Sequence, residues 1–101
     1  VRRAARVDAN QAAVVKALEA IGCTVQDISK VGQSVPDLLI GVAGINVLME
    51  VKNAERKGGK ENSFGTLKKQ SEWRRTWKGA VYVVTTPEEA VADVRRALTR
   101  A

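Results

Sequence analysis

Between Val35 and Lys52 the chain reads Val-Pro-Asp-Leu-Leu-Ile-Gly-Val-Ala-Gly-Ile-Asn-Val-Leu-Met-Glu-Val-Lys. No other stretch limits the fold as strongly. Two apolar runs flank Gly41-Val-Ala-Gly44, a turn signal, so they read as an antiparallel hairpin of strands Asp37–Ile40 and Ile45–Lys52. Pro36 opens the first strand, where a missing N–H is tolerated. Alternation then divides the second strand. Ile45, Val47, Met49 and Val51 share one face, plainly core, and Asn46, Leu48, Glu50 and Lys52 share the other.

Around this hairpin the remaining elements are readable. A first helix is expected from Asp8 to Ile21, with Asp8 as N-cap, Gln11 at capping-box spacing, and Val14, Val15, Leu18 and Ile21 on one stripe before Gly22. A short strand follows over Thr24–Ile28. After the hairpin, Asn53–Gly65 is polar, basic and glycine-bearing, and reads as a mobile loop. A second helix is expected from Thr66 to Lys78, with Leu67, Gln70, Trp73 and Trp77 on one face and Gly79 closing it. Ala80–Thr85 is a strand. Thr86-Pro-Glu-Glu89 combines an N-cap, proline at the first helical position and a capping box, and opens a last helix burying Val91, Val94 and Leu98. The order is helix, three strands, helix, strand, helix. That predicts an α/β domain over residues 1–101, with a mixed sheet flanked by helices and its last strand added through a helical crossover.

Composition excludes whole classes of chemistry. With 101 residues there is room for one core. Histidine is absent, which removes Ser-His and Cys-His nucleophilic sites, His-ligated zinc and any histidine base. The one cysteine, Cys23, cannot form an internal disulfide and reads as a buried small residue. No apolar run approaches membrane-spanning length and no signal-peptide pattern is present, so a soluble cytoplasmic protein without membrane contact is expected. The net charge is +6, and residues 52–78 carry all of that surplus, nine basic residues against three acidic ones. Arg2, Arg3 and Arg6 cluster at the N-terminus. A localised basic surface suits a polyanion, most simply nucleic acid; the plain alternative is a solvated loop and helix.

The chemistry-bearing constellation sits on the hairpin. With the turn centred between Val42 and Ala43, Asp37 lies opposite Leu48 and diagonal to Glu50, with Cβ atoms about 7–8 Å apart. Glu50 and Lys52 emerge on the same face roughly 7 Å apart. Two carboxylates so placed converge on one hard cation and suit Mg²⁺, with Mn²⁺ as a substitute, rather than zinc. A lysine beside them can hold an attacking water and screen developing negative charge. The plain alternative is a structural Glu50–Lys52 salt bridge.

Pro36-Asp37, twelve intervening residues, then Glu50-Val51-Lys52 resembles the PD-(D/E)xK nuclease signature. With Asp8-Ala-Asn-Gln11, Val35–Gly41, Leu48–Lys52, Gln70-Ser-Glu-Trp73 and Val81–Thr85, the chain resembles the small stand-alone VRR-NUC domains of phages and bacteria. The resemblance spans helix one to the last strand. It implies a restriction-endonuclease-like fold and Mg²⁺-dependent endonucleolytic hydrolysis of DNA, leaving 5′-phosphate and 3′-hydroxyl ends. It also implies homodimers acting on branched, Holliday-junction-like DNA in a bacterial cytoplasm, with no small-molecule cofactor.

Residue by residue, the resemblance makes Asp37, Glu50 and the Val51 carbonyl metal ligands, Lys52 the catalytic lysine, and Gln70 the glutamine that helps position water or phosphate. Gln11 stands where many relatives carry a glutamate; it is either a water-mediated metal contact or a capping-box residue. Thr66-Leu-Lys-Lys-Gln70 lacks the family's Thr-Pro helix start. Arg56, Lys57, Lys60, Lys68, Lys69 and Arg74 are the expected DNA contacts. Trp73 and Trp77 read as core residues rather than base-stacking platforms. The rival reading is a catalytically silent nucleic-acid-binding module on the same fold; a third is a small interaction domain with structural charges.

Overall fold

The hairpin closes on two residues. In a computed structural model that describes residues 2–53 and 64–100, strand β2 (Leu38–Val42) pairs antiparallel with β3 (Ile45–Val51), and Val42 faces Ile45. The linking Ala43 and Gly44 both have positive φ, 49° and 82°, as a tight primed turn requires. The turn centre thus falls one residue later than the sequence pattern places it. Every pairing shifts by two residues, which leaves each side chain on its expected face. Gly41 serves within β2 instead of in the turn, because a Cβ there would meet Thr24 Oγ1 at 3.0 Å.

β1 (Thr24–Asp27) adds antiparallel to β2, and β4 (Val81–Val84) adds parallel to β3, giving a four-stranded mixed sheet in the order β1-β2-β3-β4. The parallel pair is reached through helix α2 (Phe64–Thr76), the connection that such a pair needs. α1 (Arg2–Ala20) and α3 (Pro87–Arg100) lie together on one sheet face. Their Val14, Leu18, Ala90, Val94 and Ala97 form one core with Leu38, Ile40, Val47, Met49 and Val84 of the strands and with Cys23. The opposite face is less completely covered, with Leu39 37% and Val83 41% exposed. Among the described residues the result is an α/β fold of three α-helices and one mixed sheet. Among the described residues no helix is long and apolar enough to cross a membrane.

The helix ends follow local chemistry, with several departures from the pattern. α1 begins at Arg2, so Asp8 lies inside the helix and is not its N-cap. Its C-terminus is a Schellman closure: Cys23 N–H donates to the Leu18 carbonyl, Gly22 N–H donates to the Glu19 carbonyl, and Gly22 takes φ 97°. Ile21, expected on the buried stripe, falls in this cap and is exposed. α2 runs about two residues earlier than expected at both ends, from Phe64 to Thr76. At α3 the Thr86 hydroxyl accepts the Glu89 N–H at 3.1 Å. The Glu89 carboxylate accepts the Thr85 N–H at 2.6 Å and the Thr85 hydroxyl at 3.0 Å, with the Thr86 N–H as a weaker contribution, tying the end of β4 to the helix.

Candidate active site

Two strand ends and one helix supply the candidate site. Continuing the β2–β3 register by one residue sets Asp37 directly opposite Glu50, a closer placement than the diagonal expected. The Asp37 backbone is fixed because its carbonyl accepts the Ile28 N–H at 2.8 Å, which extends the ladder past the last assigned residues. Its side chain is fixed as well: Oδ2 accepts the Val51 N–H at 2.9 Å, joining the start of one strand to the end of the other. The approach to Pro36 passes through Gly32, Gln33 and Ser34, all at positive φ, so two residues with side chains occupy the left-handed region just before the site.

Glu50 is 7% exposed. Its carboxylate Oε2 lies 3.5 Å from Lys52 Nζ, as two same-face residues on one strand allow. Lys52 Nζ in turn donates to Gln70 Oε1 at 2.5 Å. α2 therefore sits over this face of the sheet with Gln70 aimed at the lysine, and Arg74, one turn further along α2, adds positive potential at Glu50. Lys68 and Lys69, on the same helix, are exposed.

The electrostatics are those of two acids in a confined space. Burial raises the Asp37 carboxyl above its ordinary pKa; the Val51 N–H and Lys52 oppose the rise, and the charge of Asp27 adds to it. Burial also raises Glu50, the negative charge of Asp37 raises it further, and Lys52 and Arg74 partly offset both. Desolvated carboxylates facing each other form a place where added positive charge is favoured. The donor set is all oxygen, which matches a hard divalent cation better than zinc. Among the described residues no group of three or more acid, cysteine or histidine side chains gathers to hold a metal.

The structure thus brings Asp37, Glu50, Lys52 and Gln70 together. The Gln11 amide donates to Asp27 Oδ2 at 3.1 Å, an acid whose charge also acts on Asp37. The capping box with Asp8 is absent, because the helix starts six residues earlier. Arg56, Lys57 and Lys60 lie outside the described residues, as does most of the Asn53–Gly65 loop.

Two neighbours of the site are not singled out by sequence reasoning. Asn10 Nδ2 donates to the Lys52 carbonyl at 2.9 Å and to the Thr85 carbonyl at 3.3 Å, so one amide on α1 clamps the ends of β3 and β4 beside the lysine. Its one sequence signal is its place in Asp8-Ala-Asn-Gln11, next to the glutamine that the resemblance marks. Asp27 ends β1, accepts the Ser29 N–H at 2.8 Å and the Ser29 hydroxyl at 2.6 Å, and stands close enough to disfavour ionisation of Asp37. A lone aspartate at a strand end carries no signal that would select it.

No family model matches this chain, and no curated protein or solved structure is significantly similar to it.

Proposed function

We propose that this chain is a divalent-metal-dependent DNA endonuclease of the restriction-endonuclease-like fold, of the VRR-NUC type that its motifs resemble. The observation that carries the reading is the meeting of Asp37 and Glu50 across two strands beside a lysine whose Nζ is held by Gln70. A structural ion pair needs only Glu50 and Lys52. It does not account for a second, desolvated carboxylate facing the first, which raises the cost of charging both.

In this reading Asp37 and Glu50, with the Val51 carbonyl, would hold Mg²⁺ or Mn²⁺. The ion would supply Lewis-acid polarisation of the scissile phosphate and ready ionisation of a water. The chain's own groups do the positioning. Lys52 places a positive charge and a hydrogen-bond donor where negative charge develops on phosphate oxygens during attack. Gln70 holds the ammonium by accepting one of its protons and leaves two more N–H groups to donate. Asn10 fixes the backbone at Lys52, so the lysine emerges at a constant place relative to the carboxylates. Arg74, Lys68 and Lys69 set positive charge along the same helix, where a phosphate backbone can lie.

The reading extends to a homodimer acting on branched DNA, since paired incisions of a junction need two sites related by a two-fold axis. The deciding experiment incubates single-stranded, duplex, flap and four-way-junction DNA with the protein and Mg²⁺, Mn²⁺ or EDTA. Cleavage with either metal and none in EDTA, lost in Glu50→Gln and Lys52→Ala, is the expected result. Salt-sensitive binding without cleavage under any metal would leave the silent binding module in its place.

A further inference from the structure

α2 carries a second feature beside its contact with Lys52. Trp73 and Trp77 are parallel-stacked, with ring centroids 4.8 Å apart and planes inclined by 12°. Sequence pattern places both in the core. In the structure Trp77 is 47% exposed and Trp73 is half-buried. The exposed indole is nevertheless held in place. It rests on Trp73, and Gly79 approaches so closely that a Cβ there would meet Trp77 Nε1 at 2.9 Å. The backbone at Trp77 is fixed as well, since its N–H donates to the Trp73 carbonyl at 3.1 Å. The chain over residues 68–78 carries Lys68, Lys69, Arg74, Arg75 and Lys78 against Glu72.

We propose that Trp77, backed by Trp73, is a stacking platform for an unpaired nucleobase of a DNA strand whose phosphates run along the basic residues of α2. An exposed, pre-oriented indole stacks on any base, because every base offers a π-face, and flanking cations track the backbone. The charge argues against a second copy of the chain as occupant. A two-fold interface on this patch would set Arg74, Arg75 and Lys78 against their own equivalents. The inference rests on the nuclease reading for the identity of the polymer, and it adds to that reading a preference for strands with unpaired bases. Gln70 and Trp77 lie two helical turns apart, about 10 Å along the axis. That is about three nucleotides at the spacing of a B-form strand, so a base stacked on Trp77 would belong to a nucleotide close to the scissile phosphate.

The test compares binding of oligothymidylate with binding of an abasic oligonucleotide of equal length and charge, by fluorescence anisotropy of labelled strands in EDTA. The parent should bind thymidylate more tightly than the abasic strand, and thymidylate alone should quench its tryptophan emission. Trp77→Ala should weaken thymidylate binding about 5- to 150-fold, the measured range for losing one base–aromatic stack, and leave abasic binding unchanged. Trp77→Phe should recover part of the loss, and it serves as the test variant if the alanine form does not fold. Equal affinity of the parent for both strands, or parental thymidylate affinity in both Trp77 variants, would overturn the proposal. So would sedimentation showing that Trp77→Ala only dissociates a dimer without a base-dependent loss. Cleavage is not read in EDTA. A parent that stacks thymidylate but never cuts with Mg²⁺ defeats the nuclease reading alone, and one that cuts but binds both strands equally defeats this proposal alone.

Discussion

At the scale of single residues, Glu50 and Asp37 are arranged against the stability of the isolated chain. Burial holds both carboxyls above their ordinary range, the charge of Asp27 adding to the rise at Asp37 and the charge of Asp37 to the rise at Glu50. Between the ordinary and the raised pKa the folded chain binds more protons than the unfolded one, so stability falls as pH rises through that window. Removing one charge should relieve the penalty. In EDTA at neutral pH, Glu50→Gln should melt above the parent, and the difference should vanish once the pH drops below the ordinary glutamate value of about 4.3. Mg²⁺ should raise the melting temperature of the parent and not that of the variant. A Glu50→Gln protein that melts lower in EDTA would show that the ion pair with Lys52 outweighs the repulsion. In the proposed nuclease Gln70, which accepts a hydrogen bond from Lys52 Nζ, would act through that lysine and not on the phosphate itself. Gln70→Ala should therefore cut kcat about 10- to 100-fold, the usual cost of losing an orienting partner, with metal affinity near that of the parent. Steady-state kinetics alongside a Mg²⁺ titration separates the two effects.

At the scale of elements, the β2–β3 hairpin carries the site at its open end and its least comfortable residue at its closed end. Ala43 sits at φ 49°, in the left-handed region that a side chain with a Cβ resists at a cost of about 1–2 kcal/mol. Asparagine tolerates that region and is favoured in primed turns before glycine. Ala43→Asn should therefore stabilise the protein by about 0.5–1 kcal/mol, seen as a higher urea midpoint with unchanged m-value, and should leave the site untouched. The two strands leave the turn in a register that decides where Asp37 stands. Because the face of a strand alternates with period two, an error of one residue in the register would separate Asp37 from Glu50. The error of two in the sequence-based pairing does not.

At the scale of the whole molecule, charge and shape divide the labour. α1 and α3 close one sheet face into the core, and α2 brings its basic residues to the other, beside Glu50 and Lys52. Replacing Lys68 and Lys69 by alanine should weaken duplex binding and lower the slope of log affinity against log salt by about 0.9 for each phosphate that is no longer neutralised. Binding titrations between low and moderate salt measure it, and an unchanged slope would move the path of the DNA off this helix. The proposed homodimer is tested by mass in solution at micromolar concentration, where a dimer mass is expected. A monomer would turn the substrate toward nicks or flaps, which a single site can cut.

The amino-acid sequence alone determined the order of elements, the hairpin, the stops and turns at Gly22, Gly44 and Thr86, and the shared face of Asp37, Glu50 and Lys52. These depend on interactions between near neighbours in the chain or on alternation, which survives small errors of register. Tertiary structure alone decided what those residues touch. Asn10 reaches Lys52 across 42 positions and Thr85 across 75, and Gln11 reaches Asp27 across 16. Trp77 shows the same limit: its helical spacing marks it as core, and it is 47% exposed. Periodicity tells which residues share a face. Whether that face is covered, and by which atoms, is set by packing between segments far apart in the chain, and no local pattern carries it.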